Sequence, residues 1–333
     1  GLYVATTALA ITVALLIAGV VSPGMGFDIT GAEIDFKARA APPFSQVLID
    51  LVPSNPVAAL ANGEMLQIIV FALLLGVAIT IAGDRGRHLL NVFTDLNAVI
   101  MQMVWIVVRI APIGVFCLIA RTFSTEGVEA FMPLAKYFVC VVLALTVHAI
   151  FTYSVLLKIA GGLSPIVFFR KMRAAQLFAF STASSNATIP VTLESVQRRL
   201  GVDNSVASFT VPFGATINMD GTAIMQGVAT VFIAQVYGVD LSLGDFLAVI
   251  ITATLASIGT AGVPGVGLIM LAMVLQQVGL PVEGIALIIG VDRLLDMMRT
   301  AVNITGDAAA TCVIAKSEGC LNIDRYTDPS AGS

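Results

Sequence analysis

Asp292, Asp296, Arg299, Asn303 and Asp307 follow one another at spacings of 4, 3, 4 and 4 inside the otherwise apolar stretch 284–315. At about 100° per residue they fall within an arc of roughly 80° on one helix face. Arg299 offers a planar fork of donors that can grip a carboxylate in two places, and Asp296, one turn earlier, can hold an ammonium. Each ionised group at the centre of a membrane span costs on the order of 2.5–3.5 kcal/mol. A purely structural ion-pair stripe would balance its charges; three aspartates against one arginine do not. A further aspartate, Asp220, lies in "NMDGT" (218–222) within the apolar run 205–237. Four carboxylates and one guanidinium leave three negative charges, and burying that surplus requires cations. Carbonyl oxygens freed by unwound backbone at Gly214–Asn218 and around Ser257–Thr260 are hard ligands suited to a small alkali ion.

The elements that must position these groups are membrane spans. Hydrophobic residues make up 58% of the 333-residue chain and charged ones 11%, far below the quarter or so of a soluble domain. Apolar stretches long enough to cross a bilayer recur at roughly 2–21, 65–82, 98–120, 132–157, 205–237 and 284–315. The net charge of −4 and the lack of a basic domain argue against nucleic acid as a partner. Four cysteines (Cys117, Cys140, Cys312 and Cys320) show neither metal spacing nor a disulfide framework. One Trp and two His argue against a haem or a His-based metal centre, and His88 and His148 read as structural. The chain opens at Gly1 directly into an apolar helix without a basic n-region, which reads as a fragment start and not as a signal peptide.

Basic residues set the orientation. Arg85 and Arg87, then Lys158, Arg170, Lys171 and Arg173, then Arg198 and Arg199 fall in connections placed in the cytoplasm, with Lys316 and the tail. The intervening connections carry Asp28, Glu33 and Asp35, Glu126 and Glu129, Asp240 and Asp245, and Glu283. Two segments do not span simply. Residues 172–200 and 243–280 are apolar at both ends, with Ser/Thr/Gly-rich middles closed by proline, "STASSNATIP" and "ASIGTAGVP". Such centres are tolerated in lipid only where buried in protein or lining a cavity. The expected geometry is two re-entrant hairpins from opposite faces, each followed by a helix with a polar core, which is an inverted repeat. The alternative is two ordinary spans with small-residue packing faces. The run 205–237, about 50 Å long as one helix, exceeds a hydrocarbon core of about 30 Å, so a break or strong tilt is expected there.

"NMDGT", "ASIGTAGVPG" and "DMMRTAVNITGD" resemble the dicarboxylate/amino acid:cation symporter family, which includes archaeal aspartate transporters and excitatory amino acid transporters. The resemblance covers essentially the whole chain. "YVATTALAITVALLIA" is similar to the family's third transmembrane helix, so residues 1–21 take that place and the first two helices are expected to be absent. The resemblance implies an all-α polytopic membrane protein with two opposed re-entrant hairpins and broken helices, working as a homotrimer in the lipid bilayer of the cell inner (plasma) membrane. It implies a scaffold within 22–130 and a mobile transport domain formed by 1–21 and 131–320, with a cytoplasmic tail at 321–333. The mechanism it implies is Na+-coupled symport of L-aspartate or L-glutamate, with no organic cofactor. By the family pattern Asp296 binds the substrate amine and Arg299 its side-chain carboxylate, with Asp292 supporting Arg299. Thr222, Thr300, Asn303, Ser185, Val263 and Gly267 complete the substrate site. One Na+ site would use Gly214, Asn218, Asn303 and Asp307; a second Thr216, Ser257, Ile258 and Thr260; a third Tyr3, Thr6, Thr7, Asn218 and Asp220.

The chain departs from the pattern at Ala183, where archaeal members carry an Arg, and at Asn186 and Ala187. Arg293, about 100° off the polar face, is expected to stand in for that arginine. Gln226, one turn past Thr222, replaces a glutamate of proton-coupled excitatory transporters, so transport is expected to move no proton there. The rival readings are a C4-dicarboxylate or neutral amino acid carrier and, in another class, an ion channel. Two opposed hairpins closing one site argue against a pore, and the lack of a Ser/His/Asp set argues against an enzyme.

Overall fold

The computed structural model describes residues 1–26, 52–62, 65–100, 102–103, 113, 131–258, 262 and 264–328. The expected span at 98–120 and Cys117 lie largely or wholly outside them. Among the described residues the chain is helical, with no strands beyond one isolated bridge between Val202 and Leu321. In order come α1 (Leu2–Val21), α2 (Pro56–Asn62), α3 (Met65–Ala82) and α4 (Phe131–Val147). There follow α5 (Pro165–Thr182), α6 (Ser185–Glu194), α7 (Asn204–Ile217) and α8 (Asp220–Val236). The series closes with α9 (Leu243–Ser257), α10 (Val266–Gln277), α11 (Ile285–Ser317) and α12 (Ile323–Thr327). Of the described helices, Leu2–Val21 and Leu134–Ala160 are long and apolar enough to cross a bilayer.

Local sequence explains the interruptions. The helix begun by α4 does not stop at Val147 but runs on through a π turn, His148–Thr152, three α-helical residues and a second π turn, Leu156–Ala160. The segment expected from 172 starts earlier, at Pro165, because proline at the first helical position needs no N–H partner. It ends at Ala183, whose φ of 50° lies in the left-handed region, unusual for a residue with a Cβ. Ser184 then caps α6 by accepting from Ala187 N. Pro190, expected to close the turn, lies inside α6. In the run 205–237, Asn218 and Met219 leave helical geometry and separate α7 from α8. Ser242 and Asp245 form a reciprocal capping box that starts α9.

The main core draws its buried side chains from α1, the α4 helix and its π turns, and α5 through α11. At its centre lies α8, buried along nearly its whole length, between α1 on one side and α11 on the other. By contrast, the described side chains of α3 and of residues 87–100 are largely exposed and contribute nothing to this core. The C-terminal segment folds back onto the base of α5 and α6. Asp203 N donates to Cys320 O (2.9 Å) and Asn322 N to Gly201 O (2.9 Å). Lys171 Nζ donates to Arg199 O (2.7 Å) and Arg325 O (2.6 Å), and buried Tyr326 donates to Ser164 O (2.9 Å). Asp203, at this water-facing end, is held below the usual carboxylate range because the Ser205 hydroxyl and then its N–H donate to it.

The approach of α8 to α11 depends on Gly221. A Cβ there would lie 2.5 Å from Arg299 O and 2.8 Å from Arg299 Cα, both backbone atoms with no freedom to yield. Gly221→Ala is therefore expected to lower the Tm of the detergent-purified protein by the equivalent of about 1–3 kcal/mol, the usual cost of overpacking. Unchanged melting would mean that the two helices do not meet this closely.

Candidate functional site

The polar face of α11 turns inward along its 33 residues: Asp292, Asp296, Arg299, Thr300, Asn303 and Asp307 are all buried. Arg299 is fully buried. Its Nη1 donates to Asp292 Oδ1 (2.6 Å), and its Nη2 to Asp296 Oδ1 (2.8 Å) and, at 3.4 Å, to Asp292 Oδ2. Among the described residues its Nε–H has no partner. A buried donor left without an acceptor is costly, so this side of the guanidinium is suited to an anionic group. The second oxygen of Asp296 accepts from Gly265 N (3.0 Å), at the start of α10. Asp296 is thus engaged by both Arg299 and the chain between α9 and α10.

Beside this pair lies a small cavity of ≈ 10 Å³, bounded by Ser185, Thr222, Gly267, Asp296, Thr300 and Asn303 among others. That is room for about one water-sized sphere. It is closed where the turns before α6 and α10 meet. Gly262 O accepts from Ser184 Oγ (2.7 Å) and from Asn186 N (3.1 Å). Ser184 and Asn186 were not expected among the site residues; only the contact across 78 positions of sequence reveals them.

The sequence-expected oxygen ligands gather below. Asn218 Nδ2 donates to Asp307 Oδ1 (2.9 Å), and Asn303 Oδ1 accepts from Gly221 N (2.7 Å). Gly214 packs against Asp307 and the Tyr3 hydroxyl, its own carbonyl accepting from Asn218 N (2.7 Å). Around Asp220, Thr7 Oγ1 donates to Oδ1 (2.6 Å), while Thr6 Oγ1 lies 3.5 Å from Asn218 Oδ1. Thr6 and Thr7 thus approach Asn218 and Asp220 from α1, while the Tyr3 hydroxyl donates to Thr210 O (3.0 Å). Ser257 Oγ reaches Ile217 O (3.4 Å), joining the end of α9 to the end of α7, with Ile258 adjoining. Thr216 turns its side chain outward, onto Pro212 O and Phe213 O (2.9 Å each). Thr260 and Val263 lie outside the described residues.

Arg293, expected to stand in for the arginine missing at Ala183, is exposed and makes no ion pair among the described residues. The offset of about 100° from Asp292 carries it to the outer face. His148, expected to be structural only, is buried with Nε2 3.3 Å from Asp220 Oδ2, and Tyr153 donates to the same oxygen (2.9 Å). No periodicity in the sequence pairs either residue with Asp220.

Comparison with known proteins bears on the family. The chain is similar to a proton/glutamate-aspartate symporter of Escherichia coli, at 38% identity over 94% of this chain and 74% of the relative. It is 35% identical to a proton/sodium-glutamate symport protein of Bacillus subtilis, over 95% and 75% respectively. It is 37% identical to a C4-dicarboxylate transport protein of Rhodospirillum rubrum, over 97% and 74%. Residues 1–317 match the sodium:dicarboxylate symporter family. With Arg299 bonded to two buried carboxylates, one of which lines the polar cavity, the chain belongs to that family of membrane transporters, which are symporters and not enzymes.

Proposed function

We propose that the protein is a Na+-coupled symporter of L-aspartate and L-glutamate in the cell inner (plasma) membrane. The observation that carries this reading is the fully buried Arg299, held by Asp292 and by Asp296, the latter lining the cavity. Arg299 binds the substrate's side-chain carboxylate, Asp292 keeps the guanidinium oriented, and Asp296 takes the ammonium. Thr222, Thr300, Asn303 and the backbone near Ser185, Val263 and Gly267 complete the pocket. The cavity is far too small for an amino acid, so loading requires the chain at 262–265 to withdraw from Ser184, Asn186 and Asp296. On this reading α5–α6 and α9–α10 are re-entrant hairpins, and α7–α8 is a broken membrane helix.

Na+ enters as cargo. Four buried carboxylates against one guanidinium leave three negative charges, which three Na+ would neutralise before the substrate's own charge is added. The sites are those of Asp307 with Gly214, Asn218 and Asn303, of the carbonyls at Thr216, Ser257, Ile258 and Thr260, and of Asp220 with Tyr3, Thr6, Thr7 and Asn218. With a tenfold Na+ gradient and 100 mV, three ions and one anionic substrate supply about 9 kcal/mol. The common core of α1, the α4 helix and α5–α11 supports their movement as one transport domain, elevator-fashion, against a scaffold that includes α3 and assembles the homotrimer.

The relative from Rhodospirillum rubrum favours a second reading, a C4-dicarboxylate carrier. The two differ at Asp296, which such a substrate would leave facing an anion at a cost of a few kcal/mol.

In proteoliposomes, L-aspartate uptake is expected to require Na+ and to outcompete succinate, serine and alanine; preferential uptake of succinate would favour the second reading. Arg299→Cys is expected to abolish aspartate uptake and admit small neutral amino acids, and wild-type aspartate affinity in that variant would remove Arg299 from the substrate site. Asp307→Asn is expected to weaken the Na+ response selectively, as seen in the Na+ concentration for half-maximal uptake. The buried amide of Gln226 cannot titrate, so no proton is moved at that position. At saturating Na+, uptake is expected to leave external pH unchanged; substrate-driven alkalinisation would overturn that.

A further inference from the structure

We propose that His148 and Tyr153 are positioning residues for a cation site at Asp220. Together they occupy Oδ2, so that Oδ1 is the carboxylate oxygen presented to the cargo ion beside Tyr3, Thr6, Thr7 and Asn218. The inference rests on the Na+-coupled reading above and deepens it.

An ionised carboxylate only accepts hydrogen bonds, so the His148 ring nitrogen and the Tyr153 hydroxyl both act as donors to Oδ2, at 3.3 and 2.9 Å. The two rings meet edge to face, with centroids 4.8 Å apart. Both side chains are fully buried, and the Asp220 carboxylate with them. Residues five apart on an α-helix diverge by about 140°, and from such a helix these two could not reach one oxygen together. The π turn His148–Thr152 narrows that divergence, because its i→i+5 bonding takes an extra residue into the turn. A second accommodation lies on α11, where a Cβ at Gly306 would come within 2.6 Å of the Tyr153 hydroxyl. Two separate backbone features thus serve the one contact.

The opposite oxygen is held differently. Thr7 Oγ1 lies 2.6 Å from Asp220 Oδ1 and 2.9 Å from Tyr3 O, yet has one proton to give. When a cation takes Oδ1, that proton can turn to Tyr3 O, and the Thr7 oxygen becomes a ligand as well. The donors on Oδ2 need not move. The carboxylate keeps its orientation whether or not the ion is present, and only a hydroxyl rotates.

The test compares wild type, Tyr153→Phe, His148→Leu and His148→Gln in proteoliposomes. The readouts are the Na+ concentration giving half-maximal aspartate uptake and the KM for aspartate at saturating Na+. Losing one hydrogen bond to a charged group is worth about tenfold in an equilibrium constant. Tyr153→Phe and His148→Leu are expected to raise half-saturating Na+ by about that factor, with KM for aspartate within about twofold of wild type. His148→Gln, which keeps an N–H donor, is expected to recover most of the shift. Should His148→Leu fail to fold, Tyr153→Phe, which removes a single oxygen, decides alone. A Na+-dependent wild type with unshifted Na+ response in the variants, even at reduced maximal uptake, overturns the positioning role only. A wild type indifferent to Na+ overturns both this inference and the function on which it rests.

Discussion

Taking an aspartate out of water costs several kcal/mol unless donors or cations replace the lost solvent, and this protein buries four of them with one arginine. The demand for donors explains which helices gather around α11. Arg299 on α11 itself serves Asp292 and Asp296, and Gly265 N, at the start of α10, completes Asp296. Asn218, at the break after α7, serves Asp307. Thr7 from α1, with His148 and Tyr153 from the α4 helix, serves Asp220. Each of these elements enters the core through a polar contact as well as an apolar one, which fixes its depth and rotation. Apolar packing alone would leave both free to slide.

The proposed substrate and ion regions share parts, and Asn303 is the clearest of them. Its side-chain oxygen accepts from Gly221 N at the start of α8, while its amide nitrogen faces Met219 Sδ and Thr222 Oγ1. One turn before it on α11 stands Arg299, and one turn after it Asp307. A change of position at Asn303 is felt on both sides because its amide has no slack. The interruption at Asn218–Met219 works in the same sense. It frees backbone groups from the helix ladder, and it aims the N-terminal end of α8 at the centre of the charged cluster.

Closure of the site rests on few bonds. Two hydrogen bonds to Gly262 O and one from Gly265 N to Asp296 hold Gly262 and Gly265 beside the α6 turn and α11. Three bonds of about a kcal/mol each, net, can be exchanged for bonds to an incoming ligand. The base of α5 and α6 is fastened more firmly, through the backbone pairing at 201–203 and 320–322 and the Lys171 and Tyr326 contacts.

Much of this was legible in the residues themselves. Helical period placed Asp292, Asp296, Arg299, Asn303 and Asp307 on one face, because 100° per residue leaves no other arrangement. The excess of length over bilayer thickness, with Asn218 and Gly221 in the run, marked where 205–237 would break. The resemblance in "NMDGT" and "DMMRTAVNITGD" indicated the family. What the residues could not disclose depends on backbone that departs from its period. A π turn shifts the register of everything after it, so the convergence of His148 and Tyr153 on Asp220 has no signature in an α-helical wheel. Arg293 shows the opposite case, one step from Asp292 in sequence but about 100° around the helix and exposed. The meeting of Ser184 and Asn186 with Gly262 is likewise a matter of tertiary structure, since two turns far apart in sequence touch only when α5–α6 and α9–α10 are packed against the same central helices.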